Sequence, residues 1–216
     1  LTTAGTSTNR PGQVDSDTEW QTVAAGQNHS LAIKSDGTLW AWGNNGLGQL
    51  GINDTNPRSV PTRIGTDANW LWIDGGEAHT VALKSDGTLW LWGDNGSGQL
   101  GDGTTTGKSN PAQLFSGDKW SSISSGNYFN AGLKRDRTLW SWGRNINGEL
   151  GDGTTTNKSY PTQIGIDTWD STAVGIGHSA AIKSNGTLWT WGLNLFGQLG
   201  NGVTFDHATP EQIGTD

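Results

Sequence analysis

Short runs in which apolar and polar residues alternate, separated by glycine and asparagine, make up most of this chain. In the stretch that starts at Trp20, these runs lie near residues 22–25, 30–34, 38–42 and 61–64. A period of two predicts β-strands with one buried face, and no segment sustains the period of a helix. The pattern therefore predicts an all-β fold made of short antiparallel strands.

The same set of runs recurs four times. Trp20 opens a unit that restarts at Trp70, Trp120 and Trp169, so the period is 50, 50 and then 49 residues. A period in this range is typical of propellers and other arrays, whose units bury their apolar faces against one another. We divide the chain into four repeats, residues 20–69, 70–119, 120–168 and 169–216.

The first 19 residues repeat the end of a unit and are not a separate domain. Pro11, Gln13, Val14 and Asp17 have the spacing that Pro, Gln or Arg, Ile and Asp have where a repeat ends. We interpret segment 1–19 as the tail of a preceding repeat, and expect it either to close the array or to pair with a neighbouring chain.

Each unit contains a tight turn that sets the pairing of two strands. Ser35-Asp36-Gly37 fits a three-residue hairpin loop in which glycine takes the positive φ. This loop predicts that Ala32 lies opposite Trp40, and a small residue faces a tryptophan at this place in every unit. Such pairs favour sheets stacked face to face, as in propeller blades. Arg137 replaces the glycine in the third unit, where we expect about 1 kcal/mol of strain.

Composition narrows the possible functions. The 13 tryptophans can fill a core that has few aliphatic residues, because each ring buries roughly 150–250 Å². The formal net charge is −7 and Arg135 and Arg137 form the only dense basic spot, so nucleic acid is not an expected partner. No apolar run approaches the roughly 20 residues that span a bilayer, so membrane insertion is not expected either.

The residue usage also bears on location. There is no cysteine, which leaves the redox compartment undetermined. Thr, Ser, Asn and Gly are abundant while Lys is scarce, and this usage indicates a protein outside the cell or at its surface. The chain also lacks methionine, as a processed mature protein or a segment of a longer protein would.

One string of residues carries a family resemblance. It reads Gly26-Gln27-Asn28-His29-Ser30, then Asp36-Gly37-Thr38-Leu39-Trp40-Ala41-Trp42-Gly43, then Gly48-Gln49-Leu50-Gly51, and it recurs in all four units. The string resembles the regulator of chromosome condensation repeat, in what looks like a bacterial-type extracellular member of that family. The resemblance implies a β-propeller of four-stranded blades. It also implies a partial or small propeller here, because such proteins close a ring of about seven blades.

The resemblance further implies an activity that these residues do not favour. The founding member of the family binds chromatin and is a guanine-nucleotide exchange factor for a small GTPase. Its contacts with the GTPase depend on a full ring and on insertions that these near-uniform units lack, and the acidic balance disfavours nucleosomes. We therefore carry over the fold and rank the exchange activity last.

Three histidines share one position in the repeat. His29, His79 and His178 would form a ring about the axis of a propeller, where a metal site is conceivable. Phe129 occupies this position in the third unit, so we expect the histidines instead to hydrogen-bond neighbouring backbone within their own blades.

Other polar residues are equally well explained by turns. Asp102 and Asp152 supply one carboxylate per loop, whereas calcium takes six to eight oxygens. No nucleophile elbow, phosphate-binding loop or isolated carboxylate pair stands apart from the repeat. We predict no metal, no cofactor and no catalytic site, and hence no enzymatic activity.

Specificity is expected where the units differ, because loops on a rigid scaffold carry recognition. The fourth unit has apolar residues in both of its variable loops, namely Leu193, Leu195, Phe196 and Phe205. These form either an exposed contact patch or a cap on the core of the last blade. Tyr128 is a weaker candidate.

The tryptophans are candidates for stacking on sugar rings. Those that recur in every unit are assigned to packing. Trp72 has no counterpart in the other units, so it is predicted to be exposed.

The sequence thus predicts a non-enzymatic interaction or structural scaffold that binds protein, or a second copy of itself, through variable loops. The alternative is a carbohydrate-binding module that uses surface aromatic residues. Three assemblies stay open: a small closed ring, an open arc, and a ring or fibre completed by other chains.

Overall fold

The computed structural model describes residues 12–14, 16–115 and 117–214, which form four sheets of four antiparallel strands. Each sheet corresponds to one repeat, and we number the four sheets as blades 1 to 4 in chain order. Blade 1 contains β1 Trp20–Ala25, β2 His29–Lys34, β3 Leu39–Gly43 and β4 Arg58–Arg63. Blade 2 contains β5 Trp70–Gly75, β6 His79–Lys84, β7 Leu89–Gly93 and β8 Lys108–Leu114. Blade 3 contains β9 Trp120–Ser125, β10 Phe129–Lys134, β11 Leu139–Gly143 and β12 Lys158–Gln163. Blade 4 contains β13 Trp169–Val174, β14 His178–Lys183, β15 Leu188–Gly192 and β16 His207–Ile213.

The all-β prediction and the four-stranded blades are confirmed. Within every blade the strands lie side by side in chain order, and the first strands of successive blades contact one another. The described residues contain no helix that is long and apolar enough to cross a membrane. Of segment 1–19, residues 1–11 and 15 lie outside the described residues, so its pairing as a closing or partner-binding strand stays a prediction.

The up-and-down order gives each blade two distinct rims. The first hairpin loop and the long loop before the fourth strand share one rim, which we call the loop rim; Asn44 N donates to the Asn28 carbonyl across it. The tight turn between the second and third strands lies on the opposite rim, which we call the turn rim.

The tight turn sets the predicted register. Ala32 pairs with Trp40, and the same pairing recurs in the other blades. Asp36 Oδ1 accepts hydrogen bonds from the backbone NH and hydroxyl of Thr38, and that hydroxyl accepts one from Trp40 Nε1. The aspartate therefore stabilises the turn, as the sequence predicts. Arg137 holds this turn with φ at +70°, so the geometry is kept despite the missing glycine.

The apolar core lies between blades, not within them. Each blade presents a forward face to the next blade and a backward face to the previous one. In the first junction the forward face of blade 1 meets the backward face of blade 2, and the buried residues are Leu31, Ile33, Leu39, Ala41, Leu50, Ile64, Trp70, Ile73, Ala82 and Trp92. Equivalent clusters join blades 2 and 3, and blades 3 and 4. Repeats therefore stabilise one another across these faces.

The expectation for the histidines is wrong for His29 and His79, because these two bond between blades. His29 Nε2 lies 2.9 Å from Thr80 Oγ1, and His79 Nε2 lies 2.9 Å from Asn130 Oδ1 in the following blade. Asn130 Oδ1 is an acceptor, and the Thr80 hydroxyl already donates to the Gln49 carbonyl. Both histidines therefore carry their proton on Nε2. Backbone partners within the blade were expected, but the ring points out of its own sheet.

The four blades form an open arc. Ile182 and Leu188, on the forward face of blade 4, are 40% and 41% exposed, while Leu39 at the equivalent place in blade 1 is fully buried. Blade 1 therefore does not cover blade 4 within the described residues.

Replacing Arg137 by glycine is expected to stabilise the protein by about 0.5–1 kcal/mol. A positive φ costs an L-residue about 1–2 kcal/mol, and part of this gain is offset because glycine increases the conformational entropy of the unfolded chain. The ion pair of Arg137 with Asp170 is exposed, so its loss matters little. Gly186→Ala is the matched opposite change, since φ is +84° there and nothing lies within 4 Å of the added methyl. Urea unfolding should give a higher free energy of unfolding for R137G and a lower one for G186A than for the wild type. A lower value for R137G would show that Arg137 is not strained.

Lowering the pH is expected to destabilise the junction between blades 1 and 2 through His29. Burial, with a smaller effect from His79, lowers the pKa of His29 to about 4, whereas an unfolded histidine has a pKa of about 6.5. Between these values the unfolded chain takes up a proton that the folded chain excludes, so stability is full above about pH 6.5 and falls towards pH 4, on the order of 2–3 kcal/mol.

The matched variant copies the pair that blade 3 and blade 4 already use. His29→Phe with Thr80→Ser reproduces Phe129 opposite Ser179, so it removes the titrating group in a combination the fold accepts. Free energies of unfolding at pH 7.5, 6, 5 and 4 should show a shallower decline in this variant. Parallel curves for the two proteins would assign the decline to other groups.

Candidate functional site

A buried asparagine fixes each long loop of the loop rim. Asn194 is fully buried, and its side chain donates to the carbonyls of Val203 and Phe205 and accepts a bond from the Leu199 NH. Asn95 and Asn145 do the same in blades 2 and 3, and Asn45 in blade 1 donates to the carbonyl and the carboxylate of Asp54 and accepts a bond from the Leu50 NH. The variable residues are thus carried on loops with a fixed internal frame, which lowers the entropy lost when they bind.

The loop rim of blade 4 carries most of the predicted contact residues. Phe196 is 85% exposed, and Leu195 and Phe205 are also well exposed, while Leu193 is half-buried against Gly177. Phe205 stacks on His207, with ring centroids 5.1 Å apart. These side chains do not cap the core of the last blade, because their equivalents in blades 1 to 3 are largely exposed even where a further blade follows.

One residue of this region was missed by the sequence reasoning. Ile176, in the β13–β14 loop, is 70% exposed and lies next to Gly177, which Leu193 contacts. Blades 1 to 3 have Gln27, Glu77 and Asn127 at its position. Comparing the short hairpin loops as well as the long ones would have found it. We call Ile176, Leu193, Leu195, Phe196 and Phe205 the blade 4 patch.

Tyr128 lies on the same rim, but it is engaged with other residues of the chain. Its hydroxyl donates a short hydrogen bond to the Glu77 carboxylate of the preceding blade. This bond raises the pKa of Tyr128 above its usual value. Arg144 lies over the ring at 5.9 Å. Tyr128 therefore supports the loops of blades 2 and 3 and stands apart from the blade 4 patch.

Trp72 lies on the inner strand β5, towards the turn rim, and is 47% exposed. Its equivalents by strand pairing are Thr22, Ser122 and Ser171. It lines a cleft of about 270 Å³ between blades 2 and 3, whose walls also include Leu71, Leu83, Lys84, Trp120, Ser121, Ser122 and Arg135. The structure thus separates Trp72 from the other candidates.

The acidic loop residues are occupied by cations of the chain itself. Lys108 Nζ lies 2.8 Å from Asp102, and Lys158 Nζ lies 3.1 Å from Asp152. The described part of the chain contains no group of three or more His, Cys, Asp and Glu residues placed to hold a metal ion.

Known proteins match both the repeat and the fold. The model of the regulator of chromosome condensation (RCC1) repeat matches residues 36–83, 86–133, 136–182 and 185–216. Human WBSCR16 is 29% identical over 93% of this chain and 54% of its own, with a TM-score of 0.82. Prp20p of Saccharomyces cerevisiae is 27% identical over 95% of this chain and 53% of its own, with a TM-score of 0.81.

The match to curated sequences is shorter. The probable E3 ubiquitin-protein ligase HERC4 of Homo sapiens is 51% identical over 39 residues, which are 18% of this chain and 4% of that protein. The chain spans about half the length of the similar solved structures and a small part of HERC4. With repeat matches along most of its length and the matching blades, this chain belongs to the regulator of chromosome condensation (RCC1) repeat family.

Proposed function

We propose that this chain is a non-enzymatic interaction scaffold that binds a protein partner through the blade 4 patch, outside the cell or at its surface. The observation that carries the proposal is the concentration of exposed apolar side chains on the loop rim of one blade. The other three blades carry mostly polar residues or glycine at the same positions. The extracellular location rests on composition.

The patch has the chemistry of a binding hot spot. Leu193, Leu195 and the two phenylalanines lie on the long loop whose backbone is fixed by Asn194, and Ile176 lies on the neighbouring β13–β14 loop. Exposed apolar groups on a rigid frame gain burial energy on contact with a complementary surface and lose little entropy. The partner we expect presents an apolar surface with few charges at its centre.

Relatives support a role in protein binding. Prp20p has described binding properties to Gsp1p and histones, and yeast RCC1 (Prp20) is seen in a complex with Kap60. These partners belong to those proteins; what they support here is the use of such propellers as binding surfaces.

A second candidate function rests on Trp72. A half-exposed indole beside the hydroxyls of Ser121 and Ser122 and the guanidinium of Arg135 offers a stacking face with hydrogen-bond donors. Sugar rings bind to such sites through stacking and polar contacts. A glycan ligand is therefore the alternative, at a place distinct from the blade 4 patch.

Exchanging the four long-loop residues of the blade 4 patch for the residues of blade 2 is expected to abolish partner binding, with Ile176 left unchanged. The variant combines Leu193→Asp, Leu195→Gly, Phe196→Ser and Phe205→Thr, all of which the fold already carries in the second repeat. Immobilised protein is exposed separately to the medium, the surface fraction and the cytosol of its source cells, and retained proteins are quantified by mass spectrometry. A partner retained by the wild type should decrease at least tenfold with the variant.

The control is Ile166→Thr, which removes a 95% exposed apolar residue on the turn rim and installs the residue of the first repeat. It should retain the partner fully. Equal retention by all three proteins would refute the role of the patch, and a partner found only in the cytosol would refute the location.

Trp72→Thr tests the alternative, since Thr22 occupies this position in blade 1 and the change should not disturb the fold. If the cleft binds a glycan, a glycan array probed with the wild type gives saturable binding with quenched tryptophan fluorescence, and the variant loses at least tenfold in affinity. Binding that survives the substitution, or an array without any ligand, would rule the cleft out.

A further inference from the structure

Two of the junctions between blades carry an open cleft at their outer edge, beside the buried core. Where blade 1 meets blade 2, residues of β4 and the loop after it line a cleft of about 580 Å³ together with Trp90 and Pro111. Where blade 3 meets blade 4, the equivalent residues line a cleft of about 570 Å³ together with Trp189 and Pro210. We call these the first and the third perimeter cleft. Both have the volume of a ligand pocket.

The chain's own aromatic rings occupy the equivalent place at the second junction. Phe115 of blade 2 stacks on Tyr160 of blade 3, with ring centroids 6.1 Å apart. The same two positions carry small or polar residues in the perimeter clefts, namely Gly65 and Asn110 in the first and Gly165 and Thr209 in the third. The second junction thus shows which chemistry this place accepts.

The backbone of Phe115 shows that its ring is held there against a conformational cost. Its φ is +32°, in a left-handed region that a bulky residue rarely adopts. Gly65 and Gly165 have φ values of +57° and +65° at the same position. A residue in such a conformation persists only where its surroundings compensate for it, and the stack on Tyr160 supplies such a contact. An aromatic ring is therefore stabilised at this place.

The tryptophan in the wall of each open cleft has a fixed position. Lys84 Nζ lies 4.0 Å from the centroid of the Trp90 ring, and Lys183 Nζ lies 3.5 Å from that of the Trp189 ring. Each indole nitrogen also donates to the hydroxyl of the threonine two residues earlier in the chain. Both rings are half-buried. A held, half-buried indole can contact a second ring and loses little entropy in doing so.

The charged residues that line the clefts are engaged with other residues of the chain. In the third cleft, Lys158 lies 3.1 Å from Asp152, and Lys183 lies 2.8 Å from Asp167. The charged residues of the first cleft also have partners, and they are Arg58, Arg63 and Asp67. A charged ligand would have to compete with these pairs, so the clefts favour a neutral occupant.

We propose that the first and third perimeter clefts each bind a neutral aromatic ring, the side chain of a phenylalanine or tyrosine presented by a protein partner. The ring takes the place that Phe115 and Tyr160 fill at the second junction. Among the described residues, the two clefts share none with the blade 4 patch or with the cleft at Trp72. The proposal therefore does not depend on the proposed function.

The indole NH signals of the full chain in heteronuclear NMR spectra test both sites, with N-acetyl-L-tyrosinamide as the probe. The signals of Trp90 and Trp189 should shift saturably, while that of Trp140 stays unchanged because Phe115 and Tyr160 occupy the equivalent place. N-acetyl-L-leucinamide, which is apolar but has no ring, should bind at least tenfold more weakly. Unchanged signals of Trp90 and Trp189, or equal binding of the leucine compound, would overturn the proposal.

Opening the second junction should create a third site. Phe115→Gly with Tyr160→Thr installs the residues of the third perimeter cleft, and glycine suits the positive φ at this position. The Trp140 signal should then respond to the probe, and the two original sites should keep their affinities. A Trp140 signal that still does not respond would show that the aromatic pair does not occupy a binding site.

Closing the third perimeter cleft should remove one site. Gly165→Phe with Thr209→Tyr copies the second junction, where a glycine of the preceding blade leaves room for the tyrosine ring as Gly153 does here. The affinity reported by Trp189 should fall at least tenfold. The Trp90 site of the same molecule is the matched control, and its unchanged response shows that the variant is folded. An undiminished response of Trp189 would contradict binding in this cleft.

Discussion

The indole of the second tryptophan on each third strand makes the interaction on which the rest of this structure depends. Trp92, Trp142 and Trp191 are fully buried, and each donates to a backbone carbonyl of the preceding blade. A four-stranded sheet buries too little apolar surface by itself to be stable. The indole adds apolar area to the junction, and its buried NH is hydrogen-bonded there. Gly51 fits this contact, because a methyl group there would lie 2.6 Å from the Trp92 indole nitrogen.

The same junction explains why much of the repeat varies so little. The carbonyl that receives the indole also receives Thr80, Asn130 or Ser179 of the same following blade. Thr80 and Asn130 also bond to His29 and His79 of the preceding blade, whereas Phe129 occupies the histidine position in the blade that precedes Ser179. These junction residues pack the blades together and provide hydrogen-bond partners for buried polar groups. The rims are free to vary because the buried asparagines hold their loops independently of the exposed side chains.

Much of the fold and part of the candidate site could be predicted from local signals. The turn Asp36-Gly37 fixed the register of Ala32 on Trp40, since hairpin geometry is decided within a few residues. Trp72 and the apolar fourth repeat stood out by comparing units. Ile176 was overlooked because it lies in a short loop, and the histidine bonds were misplaced because a partner 51 residues away leaves no local signal.

The sequence by itself determined the period, the strands, the turns and which positions are apolar, because these follow from residue spacing and backbone preference. It also showed that the ends of the chain repeat each other. Only the tertiary structure decided which apolar face meets which, and that among the described residues Ile182 and Leu188 of blade 4 and Val23 of blade 1 stay exposed where their equivalents at the junctions are buried. The reason is physical: alternation along a strand defines two faces, but burial is a property of the neighbouring blade, and a blade at either end of an open arc has one neighbour fewer.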